Sequence, residues 1–360
     1  LCKIEKIFAS INLKQLDVQM KKLIYSLLLL LPLSVFGQII HEKNIKISEQ
    51  GAKKLKKAPK KVYFREFSIG YQSIIEANTT GIDRKASTKI SMIAGLDSEL
   101  TETDIQAITD KAYKRVVEKL ENAGFTIITS AEAKEIDEYQ KRVNTTVGGE
   151  PTYLNGYVYT QPSGTEYYKV TSGLNEAVKG AKNELSKQSK TLGNLPALGL
   201  LEKGSISDNT GKISEQLGNI PVMDFGMNIN FAKITEDKKA GGSSVLKGEF
   251  GLNAHPYISR ITWKGKGKLG NVETAISLYP KNYKPFEIEG VIPRQKIKKT
   301  AAGKYRTDWG SGIVYAQQKD IKITNPVKAD RDIYIAKVSQ AVDEYLDILV
   351  AQLLENSKQL

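Results

Sequence analysis

The chain has 360 residues, a formal net charge of +13 and one cysteine, Cys2. That length holds one large domain or two ordinary ones with ample core. A lone cysteine at the extreme start excludes a disulfide framework, a thiolate metal site and a cysteine nucleophile from the body.

From Met20 the sequence runs Lys21-Lys22, an apolar block Leu23–Leu33, then Ser34-Val35-Phe36-Gly37-Gln38. A short basic region, about ten apolar residues and small residues before a cut make a secretory signal. Residues 1–19 then read as a translated upstream stretch and 20–37 as the signal peptide, cut after Gly37. A spanning helix needs ~20 apolar residues, about twice this run, so an anchor is not expected and no transmembrane helix remains after cleavage. No cysteine follows the block, so the chain is not read as a lipoprotein. The expected location is periplasmic or extracellular. Removing residues 1–37 takes away five Lys with Glu5 and Asp17, leaving +10. That excess favours anionic partners, and export makes nucleic acid the least expected of them.

Residues 38–60 read as a basic leader or linker, ending in the run Lys53-Lys54-Leu55-Lys56-Lys57-Ala58-Pro59-Lys60-Lys61. The body opens at Lys61–Phe67, whose aromatic and β-branched content predicts a strand. Over 101–124 the spacing predicts a helix: Thr101 and Asp104 cap it, Ile105, Ile108, Ala112, Val116 and Leu120 form its stripe, and Gly124 stops it. Phe125–Thr129 follows as a strand and 130–142 as a second, more polar helix. A loop-rich insert, 143–219, begins with Thr, Gly and Tyr residues that read as loops or a hairpin. Its later part has a helical stretch at 174–190 and a Leu/Gly run at 192–201. After Pro221 the period becomes two: Phe225, Met227, Ile229 and Phe231 alternate with Gly226, Asn228 and Asn230. Residues 246–252 and 272–278 alternate likewise, with turns at Gly241-Gly242 and Gly265–Gly267, which is the pattern of an antiparallel meander. A strand pair is read at 312–316 and 320–324. A terminal helix spans 330–355, with Val338, Val342, Tyr345, Leu349 and Leu353 as its stripe.

Chemistry-bearing motifs are sparse. The two histidines, His41 and His255, lie far apart in sequence with no ligand spacing, and neither sits in a nucleophile-elbow context. Gly265-Lys266-Gly267-Lys268 and Gly310-Ser311-Gly312 do not fit a phosphate loop. No cofactor is expected. The carboxylate pairs Asp97/Glu99, Glu287/Glu289 and Asp343/Glu344 would need a spatial arrangement that spacing does not reveal. The basic stretch Arg260–Lys268 contains Trp263, and a second runs from Arg294 to Arg306 and on to Trp309. Aromatics among cations suit sugars or polyanions, so Arg260, Trp263, Lys264, Lys266 and Lys268 are the candidate contacts for an anionic ligand. The alternative is a hairpin tip kept soluble by its lysines.

The phrase Val116-Val117-Glu118-Lys119-Leu120-Glu121-Asn122-Ala123-Gly124-Phe125 feeds a strand. An antiparallel series then starts at Pro221-Val222-Met223-Asp224-Phe225, and a terminal helix closes the chain. This order resembles the α/β envelope domains of CsgG-like curli-secretion components and the amino-terminal domain of TolB, over 61–142, 220–280 and 330–355. The resemblance implies helices on one face of a mixed sheet and a role in assembly and binding, with no catalytic residue carried over. The chain departs from the pattern in lacking a lipidation cysteine, and its insert does not alternate as a membrane hairpin would.

The expected fold is therefore α+β: a mixed, largely antiparallel sheet with helices packed on one face, plus the insert, in a single domain over 61–360. The expected function is that of a non-enzymatic envelope protein that assembles with other envelope proteins or with itself. One alternative is an envelope glycan hydrolase using unidentified carboxylates. Another is a binder of anionic glycan or a lipid surface.

Overall fold

Two long helices and a wide sheet account for the core. The computed structural model describes residues 37–83, 86–140, 143–154, 156–170, 210–238, 244–267, 270–300, 323 and 325–358. Its strands are β1 (Ile45–Gln50), β2 (Lys61–Gln72), β3 (Ile74–Asp83), β4 (Ala86–Asp97), β5 (Thr126–Ile128), β6 (Val143–Val147), β7 (Thr152–Leu154), β8 (Tyr157–Thr160) and β9 (Glu166–Val170). The series continues with β10 (Val222–Lys238), β11 (Ser244–Gly267), β12 (Gly270–Pro280), β13 (Phe286–Ile288), β14 (Gln295–Thr300) and β15 (Asn325–Lys328). The helices are α1 (Glu102–Asn122), α2 (Ser130–Lys134), α3 (210–216) and α4 (Arg331–Asn356).

The main sheet has the order β1-β12-β11-β10-β2-β8-β7, with β13 and β14 on β11 and β5 on β2. The β10–β2 and β5–β2 pairs are parallel, and the other pairs of this sheet are antiparallel. The fold is α+β, as the periodicity predicts. The β3–β4 hairpin, on which the sequence reading is silent, forms a three-stranded sheet with β15, and β6 pairs with β9.

Helix α1 begins where the sequence places it, because Thr101 and Asp104 each accept from the other's backbone N–H, at 3.2 and 2.9 Å. Ile105, Ile108, Ala112, Val116 and Leu120 are buried, and Gly124 ends the helix at φ +82°. Helix α4 is capped by Asp330, which accepts from the Ile333 N–H at 2.9 Å. The two helices are tied by Arg115 to Asp347 at 2.6 Å and to Asp343 at 3.4 Å. Beneath them, Phe67 lies 4.9 Å from Phe225, which lies 6.3 Å from Tyr345. This is the main core.

The opposite face carries a smaller core of Tyr63, Ala133, Ile136, Tyr139, Tyr168, Ile213, Ile220 and Val222. It explains why α2 is shorter than the 130–142 helix read from sequence. Beyond Lys134 the chain turns, burying Ile136 and Tyr139 against Tyr63 and Tyr168, while Gln216 accepts from the Glu138 N–H at 2.9 Å. Tertiary burial overrides helix propensity here.

Residues 39–57, read as part of a linker, are built into the body. β1 pairs with β12, and Ile40, Ile45, Ala52 and Leu55 are buried. The Ile39 and Ile40 N–H groups donate to Glu344 on α4, at 2.8 and 2.6 Å. The lysines mask an apolar phase, Ala52 to Leu55, one turn of 3₁₀ helix apart. The first part of the insert is a pair of nested hairpins, β6–β9 around β7–β8, and β8 joins the main sheet. The stretches read as helix at 174–190, as a Leu/Gly run at 192–201 and as strands at 312–316 and 320–324 lie outside the described residues, Ile323 apart. No described helix is long and apolar enough to cross a membrane.

Candidate functional site

The same alternation that builds the core also furnishes the other side of the sheet. Met223, Phe225, Met227, Ile229 and Phe231 enter the main core. Asp224, Gly226, Asn228 and Asn230 therefore face the opposite way. Register then sets their neighbours. Asn228 lies beside Gly70 on β2 and His255 on β11, and Gly70 in turn lies beside Tyr159 on β8. The next row holds Tyr157 beside Gln72, and Asn230 beside Asn253. A polar band thus crosses four strands.

Its glycines have a steric reason. A Cβ on Gly226 would stand 2.3 Å from Cζ of Tyr257, and one on Gly70 would stand 2.5 Å from Cε1 of Tyr159. Both aromatic rings occupy the space a side chain would take, so only glycine admits them. The Gly70 position also lies 2.6 Å from Oδ1 of Asn228, so Tyr159 and the Asn228 amide share that space.

Hydrogen bonds knit the band together. Tyr157 Oη donates to Asn230 Oδ1 at 2.6 Å, and Asn230 Nδ2 donates to Asn253 Oδ1 at 3.2 Å. Gln72 Oε1 accepts from the N–H groups of Phe231 and Ala232, both at 3.0 Å, where β10 bulges. Ser68 Oγ donates to Glu66 Oε1 at 2.7 Å, leaving the Tyr257 hydroxyl to donate to Ser68. Asn228 differs from all of these. It is 1 % exposed, and both its Oδ1 and its Nδ2 are buried without a hydrogen-bond partner among the described residues. An unpaired buried amide costs free energy that most native folds avoid.

The ionised groups on this face are committed internally. Arg65, the extra residue of a β2 bulge, grips Asp224 with two bonds, Nε to Oδ1 at 2.7 Å and Nη2 to Oδ2 at 2.8 Å. Burial works against the Arg65 charge, but Asp224 outweighs it, and the guanidinium pKa ends above its usual value. Burial alone pushes the His255 imidazole below its usual value, so it is neutral at pH 7. Apart from Arg260 and Lys264, each beside a glutamate, what remains half-exposed along the band is uncharged: Tyr157, Tyr159, Asn230, Asn253, His255 and Tyr257.

The candidates read from sequence do not form one exposed tip. Strand period separates them: Arg260 pairs in register with Asp224 on the polar face, whereas Trp263 is 3 % exposed within the main core. The Trp263 Nε1–H donates to the Asn219 carbonyl at 2.8 Å. Arg260 lies 3.6 Å from Glu273, and Lys264 Nζ lies 2.5 Å from Glu215. Lys266 sits opposite Asn271 near the end of β11, which runs through Gly265–Gly267 without turning, and Lys268 lies outside the described residues. The indole is thus part of the packing, and both placed cations have acidic partners. Of the band, the sequence names Asn228 and Asn230 as the polar partners of an alternating strand and His255 as a histidine without ligand spacing.

The carboxylate pairs noted in sequence are also placed. Glu287 and Glu289 both bind Arg294, Asp343 faces Arg115, and Glu344 holds the Ile39 and Ile40 amides. Asp97 and Glu99 line a polar surface cleft of about 500 Å³ with Lys328, Asp330, Arg331 and Asp332. Among the described residues, no three His, Cys, Asp or Glu side chains are grouped to hold a metal. No family model, curated protein or solved structure matches this chain.

Proposed function

We propose that this chain is an exported, non-enzymatic cell-envelope protein whose role is to bind, and that the polar band across β8, β2, β10 and β11 is its ligand-facing surface. One observation carries the reading. The band's buried charged groups are held by internal partners, Arg65 by Asp224 and Glu66 by Ser68, while most of its half-exposed part presents neutral donors, acceptors and aromatic rings. Such a surface suits recognition by hydrogen bonds. The signal-like segment 20–37 supports export.

Two measurements test this. Mass spectrometry of the native protein is expected to find an amino terminus at Gln38 or within a few residues of it, and an intact form starting at Met20 in the cytoplasm would refute export. Purified protein is expected to co-sediment with an isolated envelope fraction. Asn253→Asp and His255→Glu, which place charge on the neutral band, are expected to weaken that association. Release of soluble fragments from the fraction, abolished by one Asp or Glu substitution, would instead establish a hydrolase.

A further inference from the structure

A second surface lies at the sheet edge, away from the polar band. β1 and β12 pair with Ile45 opposite Pro280 and Lys46 opposite Tyr279, so segments 41–44 and 281–284 leave the ladder side by side. At the end of β12 the chain makes a short 3₁₀ turn, Lys281–Tyr283. Asn282 and Tyr283 are consecutive residues with left-handed backbones, at φ 56° and 55°. Asn tolerates that region, but a bulky side chain rarely enters it. The result is a Tyr283 ring 73 % exposed to solvent and stacked on Tyr279, with centroids 5.4 Å apart and planes 8° from parallel. Lys46 Nζ stands 5.6 Å from the Tyr279 centroid. Segments 41–46 and 279–284 together carry Lys43, Lys46, Lys281 and Lys284 against one carboxylate, Glu42.

We propose that this edge is a binding site for an anionic polysaccharide. Tyr283 offers its ring to the C–H face of a sugar, and the surrounding lysines meet the acidic substituents. The parts are complementary in kind: an aromatic ring held out in water by its backbone, and a local cationic excess that attracts a polyanion. Membrane insertion fits less well. A tip that enters lipid presents several apolar side chains, and Tyr283 is the one large exposed hydrophobic residue described in these two segments. The site is independent of the polar band and stands or falls separately from it.

The test measures binding of the full mature chain to dextran sulfate, polygalacturonate and unmodified dextran, with phosphatidylglycerol vesicles as a fourth probe. The expected result is binding to both anionic polymers over dextran, weakening as salt rises. Tyr283→Ala is expected to lower that affinity about three- to tenfold, as loss of one aromatic contact would, while Tyr283→Trp retains it. The paired change Lys46→Gln and Lys284→Gln is expected to flatten the salt dependence. Thermal melts of each variant show whether it is folded; for Tyr283→Ala a nearly unchanged midpoint is expected, since the ring is mostly exposed and alanine keeps the Cβ. Equal affinity of wild type and Tyr283→Ala for both anionic polymers would overturn the proposal, as would tighter binding to the vesicles than to either polymer.

Discussion

Asp224 is fully buried, and its charge is tolerated only because Arg65 meets both carboxylate oxygens. Asp224→Ala strands a guanidinium in the interior and is expected to cost about 3–5 kcal/mol in urea melts. The double change Arg65→Met with Asp224→Leu removes both charges and is expected to recover most of that loss. A double variant as unstable as the single one would mean that the pair's bonds outweigh its desolvation. His255 sets a pH dependence of definite sign. Its folded pKa is depressed, so the unfolded chain binds the proton more tightly. The stability this contributes is present above the unfolded value of about 6.5 and is lost as pH falls below it. Urea midpoints measured downward from pH 7 are expected to fall in wild type and to fall less in His255→Gln. Of the band around it, Asn228 and Asn230 were visible in sequence as the polar partners of an alternating strand. Their neighbours Tyr159, Asn253 and His255 arrive through register, which local pattern does not encode.

Among the elements, α1 was legible because three independent signals agree on it: the Thr101–Asp104 cap, the buried stripe and the left-handed Gly124. Leu120 is fully buried in that stripe, so Leu120→Ala is expected to cost about 2–5 kcal/mol by denaturant titration. A loss below about 1 kcal/mol would mean that the site collapses around the smaller side chain or that the helix packs loosely. β1 was illegible for the converse reason. Ile45-Lys46-Ile47-Ser48-Glu49-Gln50 is an edge strand whose second half is exposed, so its composition looks like a linker. The misassigned Trp263 shows the same limit. A basic, aromatic stretch reads as a surface, but one residue of strand phase sends the indole inward while Arg260 and Lys264 take the other side.

For the whole molecule, buried tyrosines dominate the alkaline response. Burial raises the hydroxyl pKa of Tyr63, Tyr71, Tyr167, Tyr334 and Tyr345, and pushes those of Tyr113 and Tyr139 up to about 12. Each folded pKa exceeds the unfolded value of about 10. Their contribution is therefore complete below pH ~10 and is lost as pH rises through the folded values. Tyrosinate absorbance and loss of near-UV circular dichroism are expected to rise together above that point, and ionisation of these residues without unfolding would contradict their burial. The architecture also governs time. β2 pairs with β10, β1 with β12, and the Ile39 and Ile40 amides with Glu344, 305 and 304 residues away. The earliest body strands therefore wait for partners made much later in synthesis, and loop closure over such spans precedes any reward from contact. A chain threaded amino terminus first through a membrane would hold β1 and β2 with open edges until β10 and β12 emerged. It would complete its fold only when α4 cleared the exit, a delay during which unpaired strands invite association and a holding chaperone has work to do.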